Sequence, residues 1–146
     1  MRRALFSIAI LLSLTSCTRR IDTDLIIAAG DGNTEKVKNL IAHGANINVN
    51  AHDDLTPLVA AVKNQNIETV RALINAHANV NQGDSNNNTP LLWATDRGNV
   101  EISKLLLLAG ADPKAKSTVG ETPISVALAK NRGEIYNLFL KSGRLK

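Results

Sequence analysis

"NTPLLWATDRGNVEISKLLLLAGAD", residues 88–112, holds one complete structural unit. Thr89 followed by Pro90 is a helix start: the hydroxyl caps a free amide, and proline fits the first helical position. Asn99 is a good cap for a second helix, and Glu101 falls in its first turn, where negative charge is favoured. Ile102, Leu105 and Leu106, spaced three and four apart, give that helix an apolar face. Gly110 is the usual left-handed exit residue. The stretch therefore reads as helix, turn, helix, stop.

The same unit recurs at intervals of 33 residues. Thr23, Thr56, Thr89 and Thr122 are in phase, and Pro57, Pro90 and Pro123 follow three of them. Asp24 replaces proline in the first copy, and a carboxylate also suits a helix N-terminus. Leu25, Leu58, Leu91 and Ile124 keep step, as do Glu35, Glu68, Glu101 and Glu134. Ala28, Ala61, Ala94 and Ala127 mark where neighbouring helices must approach closely. The second helices open at Asn33, Asn66 and Asn99, with Arg132 departing from the pattern. Their apolar residues are Val37, Leu40 and Ile41; Val70, Leu73 and Ile74; Ile102, Leu105 and Leu106; Ile135, Leu138 and Phe139.

Gly44, Gly110 and Gly143 end three second helices, and His77, a residue type enriched in left-handed backbone, holds the same slot in the second copy. The links "ANINVNAHDDL", "ANVNQGDSNNN" and "ADPKAKSTVGE" are polar and turn-rich, suited to hairpin fingers. Asp54, Asn87 and Gly120 share a phase, and all three tolerate a left-handed turn.

A helix pair plus hairpin carrying "TPLVAAV", "TPLLWAT" and "TPISVAL" resembles the ankyrin repeat. The resemblance covers residues 22–146 and implies an all-α repeat solenoid: four stacked ankyrin repeats of helix-turn-helix plus β-hairpin fingers, at about 22–50, 51–83, 84–116 and 117–146. The family's usual His after Thr-Pro-Leu is replaced by Ile26, Val59, Leu92 and Ser125, which loses a buried polar contact that helps fix the turn. Lys36 stands where later copies have Thr69, Ile102 and Ile135, which fits a first repeat acting as a polar cap. The fourth copy runs into "KSGRLK", and Lys141, Arg144 and Lys146 are expected to face water.

Residues 1–16 have a different character. Arg2 and Arg3 precede the apolar run "ALFSIAILLSL", and small residues Thr15 and Ser16 precede Cys17, the layout of a secretory signal peptide. The apolar run has eleven residues, whereas a spanning helix needs about 20. Leu14-Thr15-Ser16-Cys17 resembles the lipobox of bacterial lipoproteins. That resemblance implies a lipid on the Cys17 thiol, cleavage after Ser16, and acylation of the new amine. Two or more chains hold stably where one holds marginally. Residues 17–21 are then a lipidated N-terminus and short tether, with Arg19 and Arg20 near headgroups at about 1 kcal/mol each on an anionic surface. Thr18 rather than Asp after the cysteine points, by the same resemblance, to the outer membrane facing the periplasm.

The chain has 146 residues, 44% hydrophobic and 3% aromatic, so its core is built from Leu, Ile, Val and Ala. A net charge of +4 falls to +2 once Arg2 and Arg3 are removed, too little to argue for nucleic acid. The single cysteine excludes an internal disulfide framework and any multi-cysteine zinc site. No nucleophile elbow, phosphate loop or metal-helix signature is present. "GDGN", residues 30–33, has the phase of the turn between helices rather than of a phosphate cradle. His43, His52 and His77 lie at helix ends and in a finger, with no ligand spacing. Trp93 sits on an apolar helix face and reads as core.

Solenoids bind on the surface that stacking leaves free. By phase, the ankyrin resemblance puts the contact positions on a concave face at His52, Asp53, Leu55, Lys63 and Asn64; Ser85, Asn86, Asn88, Asp96 and Arg97; and Thr118, Val119, Glu121 and Lys130. Only Arg97 among them belongs to the residue types enriched at hot spots. The expected function is a membrane-anchored protein–protein interaction module of the bacterial envelope, a scaffold for, or an inhibitor or immunity factor against, an envelope protein. The alternative is a structural envelope lipoprotein that self-associates or contacts cell wall. No enzyme activity, no cofactor beyond the covalent lipid on Cys17, no nucleic acid and no small-molecule substrate are expected.

Overall fold

The computed structural model describes residues 20–50 and 55–143. Cys17 and the signal segment, the finger positions 51–54 and the basic residues Arg144 and Lys146 lie outside the described residues. Eight helices and no strand occur among those described. They are α1 (20–30), α2 (Thr34–Ala42), α3 (Pro57–Lys63), α4 (Ile67–Asn75), α5 (Pro90–Arg97), α6 (Val100–Leu108), α7 (Pro123–Ala129) and α8 (Gly133–Lys141).

Three first helices start as their sequence dictates. Thr56 Oγ1 accepts from Val59 N at 3.1 Å, Thr89 from Leu92 N at 3.3 Å and Thr122 from Ser125 N at 3.0 Å, with proline behind each cap. Ser125, standing where the family has histidine, returns a bond from its own Oγ, which accepts from Thr122 N at 2.9 Å and completes a capping box. The first copy differs. α1 is already helical at Arg20, so Thr23 and Asp24 lie inside the helix rather than at its start. Proline would clash with the carbonyl four residues back. Asp24 imposes no such stop.

The first helices α3, α5 and α7 stack in one layer and the second helices α2, α4, α6 and α8 in the other, with α4, α6 and α8 each packed on the first helix of its own repeat. The core between the layers contains the in-phase alanines Ala28, Ala61, Ala94 and Ala127 and the fully buried Leu25, Leu58, Leu91, Leu73, Leu106 and Phe139. A larger side chain at the alanine positions would separate the helices, which is why the phase keeps them small.

Left-handed exits fall where the phase places them: Gly44, His77, Gly110 and Gly143 all have positive φ. Asn87 and Gly120 are also left-handed, at the finger tips. The fingers are turns rather than strand ladders. Asp84 N donates to Asn88 O and Asn87 N to Asp84 O, and Ser117 N to Glu121 O and Gly120 N to Ser117 O. The arms close too soon to form a ladder, so the expected β-hairpins are tight hydrogen-bonded loops in the described fingers.

The caps of the second helices divide into two kinds. Asn33 and Asn99 accept from Lys36 N and Ile102 N, both at 3.0 Å. Asn66 does not cap its own helix; its Nδ2 donates to Ala29 O at 3.1 Å and Gly30 O at 2.7 Å in the preceding repeat. Arg132 behaves likewise, donating from Nη2 to Asp96 O at 3.1 Å. Both side chains lie flat on a left-handed glycine: a Cβ on Gly32 would come within 2.9 Å of Asn66 Cγ, and one on Gly98 within 2.7 Å of Arg132 Cζ. Glycine is needed there for two reasons at once, its φ and its missing side chain.

A second series of contacts ties the finger bases together. Asn46, Asn79 and Asp112 each accept the amide two residues on, closing an Asx turn. Asn48 Oδ1 then accepts from Asn79 N, and Asn81 Oδ1 from Asp112 N, both at 2.8 Å. One repeat thus satisfies the backbone of the next.

The polar ends expected of the stack hold only in part. Lys36 is exposed as anticipated. In the fourth copy, however, Leu128 is 60% exposed, although its phase mates Ala29, Val62 and Thr95 are fully buried, and Leu140 is 52% exposed. Their apolar character follows from the repeat, not from a cap.

Candidate functional interaction face

The finger tips and the first helices meet at α5. Trp93 packs against the core, half-buried, and its indole Nε1 donates to Asp84 Oδ2 at 3.0 Å. Asp84 Oδ1 also accepts from Asn86 N and Asn88 N at 3.0 Å, and Oδ2 from Asn88 Nδ2 at 3.2 Å. One carboxylate therefore fixes the third finger to the first helix of its own repeat. Lys63 of the preceding repeat sets its ammonium 4.5 Å from the Trp93 ring centroid, within cation–π range. Asp84 has Ala51 and Ser117 as phase mates, and Trp93 has Ala60 and Val126, so the pair occurs in this copy only. In the fourth finger Ser117 Oγ takes part of the role, accepting from Glu121 N at 3.1 Å.

The positions expected to make contacts separate into two groups. Several hold the stack. Asn64 Nδ2 donates to Gly30 O at 2.8 Å, Asp96 pairs with Lys130 at 2.5 Å, and Asn86 O accepts from Thr118 N at 2.9 Å, linking adjacent fingers. Asn88 is spent on Asp84, and Lys63 on Trp93. Leu55 is half-buried beside the Thr56 cap. The rest face solvent: Ser85 at the third finger tip, Arg97 at the end of α5, Val119, 79% exposed, at the fourth finger tip, and the Glu121 side chain. Arg97 has no ion-pair partner among the described residues. His52 and Asp53 lie outside the described residues.

Arg97, Val119 and Ser85 thus present a cation, an aliphatic group and a hydroxyl that the stack does not use. Such a surface supports recognition by shape and a few hydrogen bonds. Among the described residues no cluster of three or more His, Cys, Asp or Glu could hold a metal, and no helix is long and apolar enough to cross a membrane. Among the described residues there is no paired acid and base and no activated nucleophile beside a cavity.

No match was found among curated proteins. The family model for ankyrin repeats matches residues 25–117, in three copies. Its bounds begin at Leu25 in α1 and end at Ser117 in the fourth finger, so the fourth helix pair, α7 and α8, extends the same architecture beyond them. Ankyrin repeats are in general non-enzymatic protein-interaction modules. With two helix layers, left-handed exits at the expected phase and well over half its length matched, the chain belongs to the ankyrin-repeat family.

Proposed function

We propose that this chain is a lipid-anchored protein-interaction module of the bacterial envelope, held at the outer membrane through Cys17 and facing the periplasm. The observation that carries the binding reading is the exposure of Ser85, Arg97 and Val119, side chains with no bond that holds the repeats together among the described residues. The anchoring reading rests on the three-part N-terminal layout and on Leu14-Thr15-Ser16-Cys17. With Arg20 and Ile21 already in α1, residues 17–19 are the tether, the first repeat lies against the bilayer and the fingers of later repeats project from it. The partner is a protein, for which this module is a scaffold or an inhibitor.

Affinity capture of the full chain from envelope extracts tests the binding reading. One stoichiometric protein partner, weakened by Arg97→Ala, is expected; capture of peptidoglycan alone contradicts it. Intact mass of the membrane-extracted protein tests the anchor: a start at Cys17 with acyl additions is expected, and an unmodified Cys17 rules it out. A second reading, self-association, has one observation in its favour, the exposure of Leu128 where its phase mates are buried. Capture of the chain by itself alone would select that reading.

A further inference from the structure

We propose that the groove between α6 and α8, on the second-helix side of the stack and away from the fingers, docks an acidic amphipathic helix of a partner protein; this rests on the reading of the chain as a protein-binding module. The groove encloses about 340 Å³ between Leu107 and Leu108 on one helix and Leu138 on the other, with Lys104, Lys141 and Ser142 at its rim. That is the low end of the range of about 300–1,000 Å³ typical of ligand sites.

Leu108 is the residue that stacking does not explain. Its phase mates are Ala42, Asn75 and Lys141, all exposed, so the position belongs to the core in no copy. In the third copy it carries a leucine that is 76% exposed beside the buried Leu107. An aliphatic side chain there covers apolar area only if something lies over it.

The charges say what that is. Along the same helix face, Lys38 pairs with Glu35 at 2.8 Å, and Arg71 reaches Glu101 at 3.1 Å. Lys104, next in phase, has no ion-pair partner among the described residues. Glu101, one turn before it, is taken by Arg71, and the fourth copy offers Asn137 in phase. Lys141 is likewise unpaired among the described residues, and no acidic side chain lines the groove. Two unspent ammonium groups beside a leucine floor complement carboxylates flanking an apolar stripe. Neighbouring second helices present a channel rather than a strand edge, which fits a third helix laying its i, i+3 and i+4 anchors between them.

The test uses the full chain with labelled leucine and valine methyls. The first probe is a peptide of about five helical turns, with leucine on one face and glutamate on its flanks. A second peptide has lysine for glutamate, and phosphatidylglycerol bicelles serve as the third probe. The glutamate peptide is expected to shift the methyls of Leu107, Leu108 and Leu138. Its affinity should fall about tenfold or more in Lys104→Glu/Lys141→Glu, as for reversal of rim charges. Leu108→Asn, which places there the residue found at position 75, should keep the fold and lose the shifts. No groove shifts at millimolar glutamate peptide, or equal shifts from the lysine peptide, overturn the proposal. Shifts with bicelles alone overturn it in favour of a lipid surface. Shifts confined to Leu55 and Val119 overturn it while leaving the module reading intact.

Discussion

Replacing Gly98 with alanine sets two costs against each other, one in the backbone and one in the contact between repeats. Gly98 has a φ of +71°, where an alanine costs about 1–2 kcal/mol. Its Cβ would also sit 2.7 Å from Arg132 Cζ, so the guanidinium must leave and lose its bond to Asp96 O. A hydrogen bond from a charged donor contributes about 1.5–3 kcal/mol. The total expected for Gly98→Ala is about 2.5–5 kcal/mol. Gly44 is the control: its φ is +87° and nothing lies within 4 Å of the place its methyl would take, so Gly44→Ala should cost only the backbone part, about 1–2 kcal/mol. Urea unfolding measures both through the shift in midpoint at constant slope. Arg132→Ala alone should cost about 1.5–3 kcal/mol, the contribution of the same bond from Nη2 to Asp96 O. In the Arg132→Ala background, Gly98→Ala should fall to the Gly44 value. If Gly98→Ala costs no more than Gly44→Ala in the otherwise unchanged chain, the packed arginine contributes nothing and the reasoning is refuted.

Other perturbations address the remaining contacts. Leu106→Ala, at a fully buried position in α6, is expected to lower the unfolding free energy by about 2–5 kcal/mol in the same urea experiment. Thr89→Ala removes a cap that accepts from Leu92 N and should cost about 1 kcal/mol, read as a fall in midpoint. Asn81→Ala strips the acceptor from Asp112 N and should cost about 0.5–1.5 kcal/mol while raising exchange at that amide, seen by hydrogen–deuterium exchange. Lys63→Ala removes the ammonium over Trp93, and a loss of about 0.5–1 kcal/mol with a change in indole fluorescence is expected.

The features that repeat were legible because periodicity reports packing directly. Apolar spacing marked the buried faces, and the exits were readable even at His77, where a non-glycine residue takes a left-handed turn. Features in one copy alone were not. Nothing in a first-repeat Thr-Asp pair shows that α1 continues past it, since its length depends on the missing proline stop. Asn66 and Asn99 are the same residue at the same phase, yet only Asn99 caps its helix, its Nδ2 reaching the Gln65 side chain at 3.4 Å, whereas Asn66 gives its Nδ2 to the backbone of the preceding repeat; the neighbour decides, a glycine at Gly32 against Gln65. The asparagine bridges had a signal in "NIN" and "NVN", residues 46–48 and 79–81, whose alternation puts one side chain on its own turn and the next on the following repeat. Within the candidate face, phase located the positions but not their occupation. Asp96 and Lys130 were each visible as exposed charges, and only the stack shows that they are spent on one another.

A single nuclear Overhauser spectrum of the labelled chain tests most directly whether the 33-residue phase is physical contact. Cross-peaks are predicted between Thr118 and Asn86, between the Lys63 side chain and the Trp93 ring, and between Asn48 and the Asn79 amide. Helical signals in every repeat without those cross-peaks would mean that the pairs form without stacking, and would contradict the account.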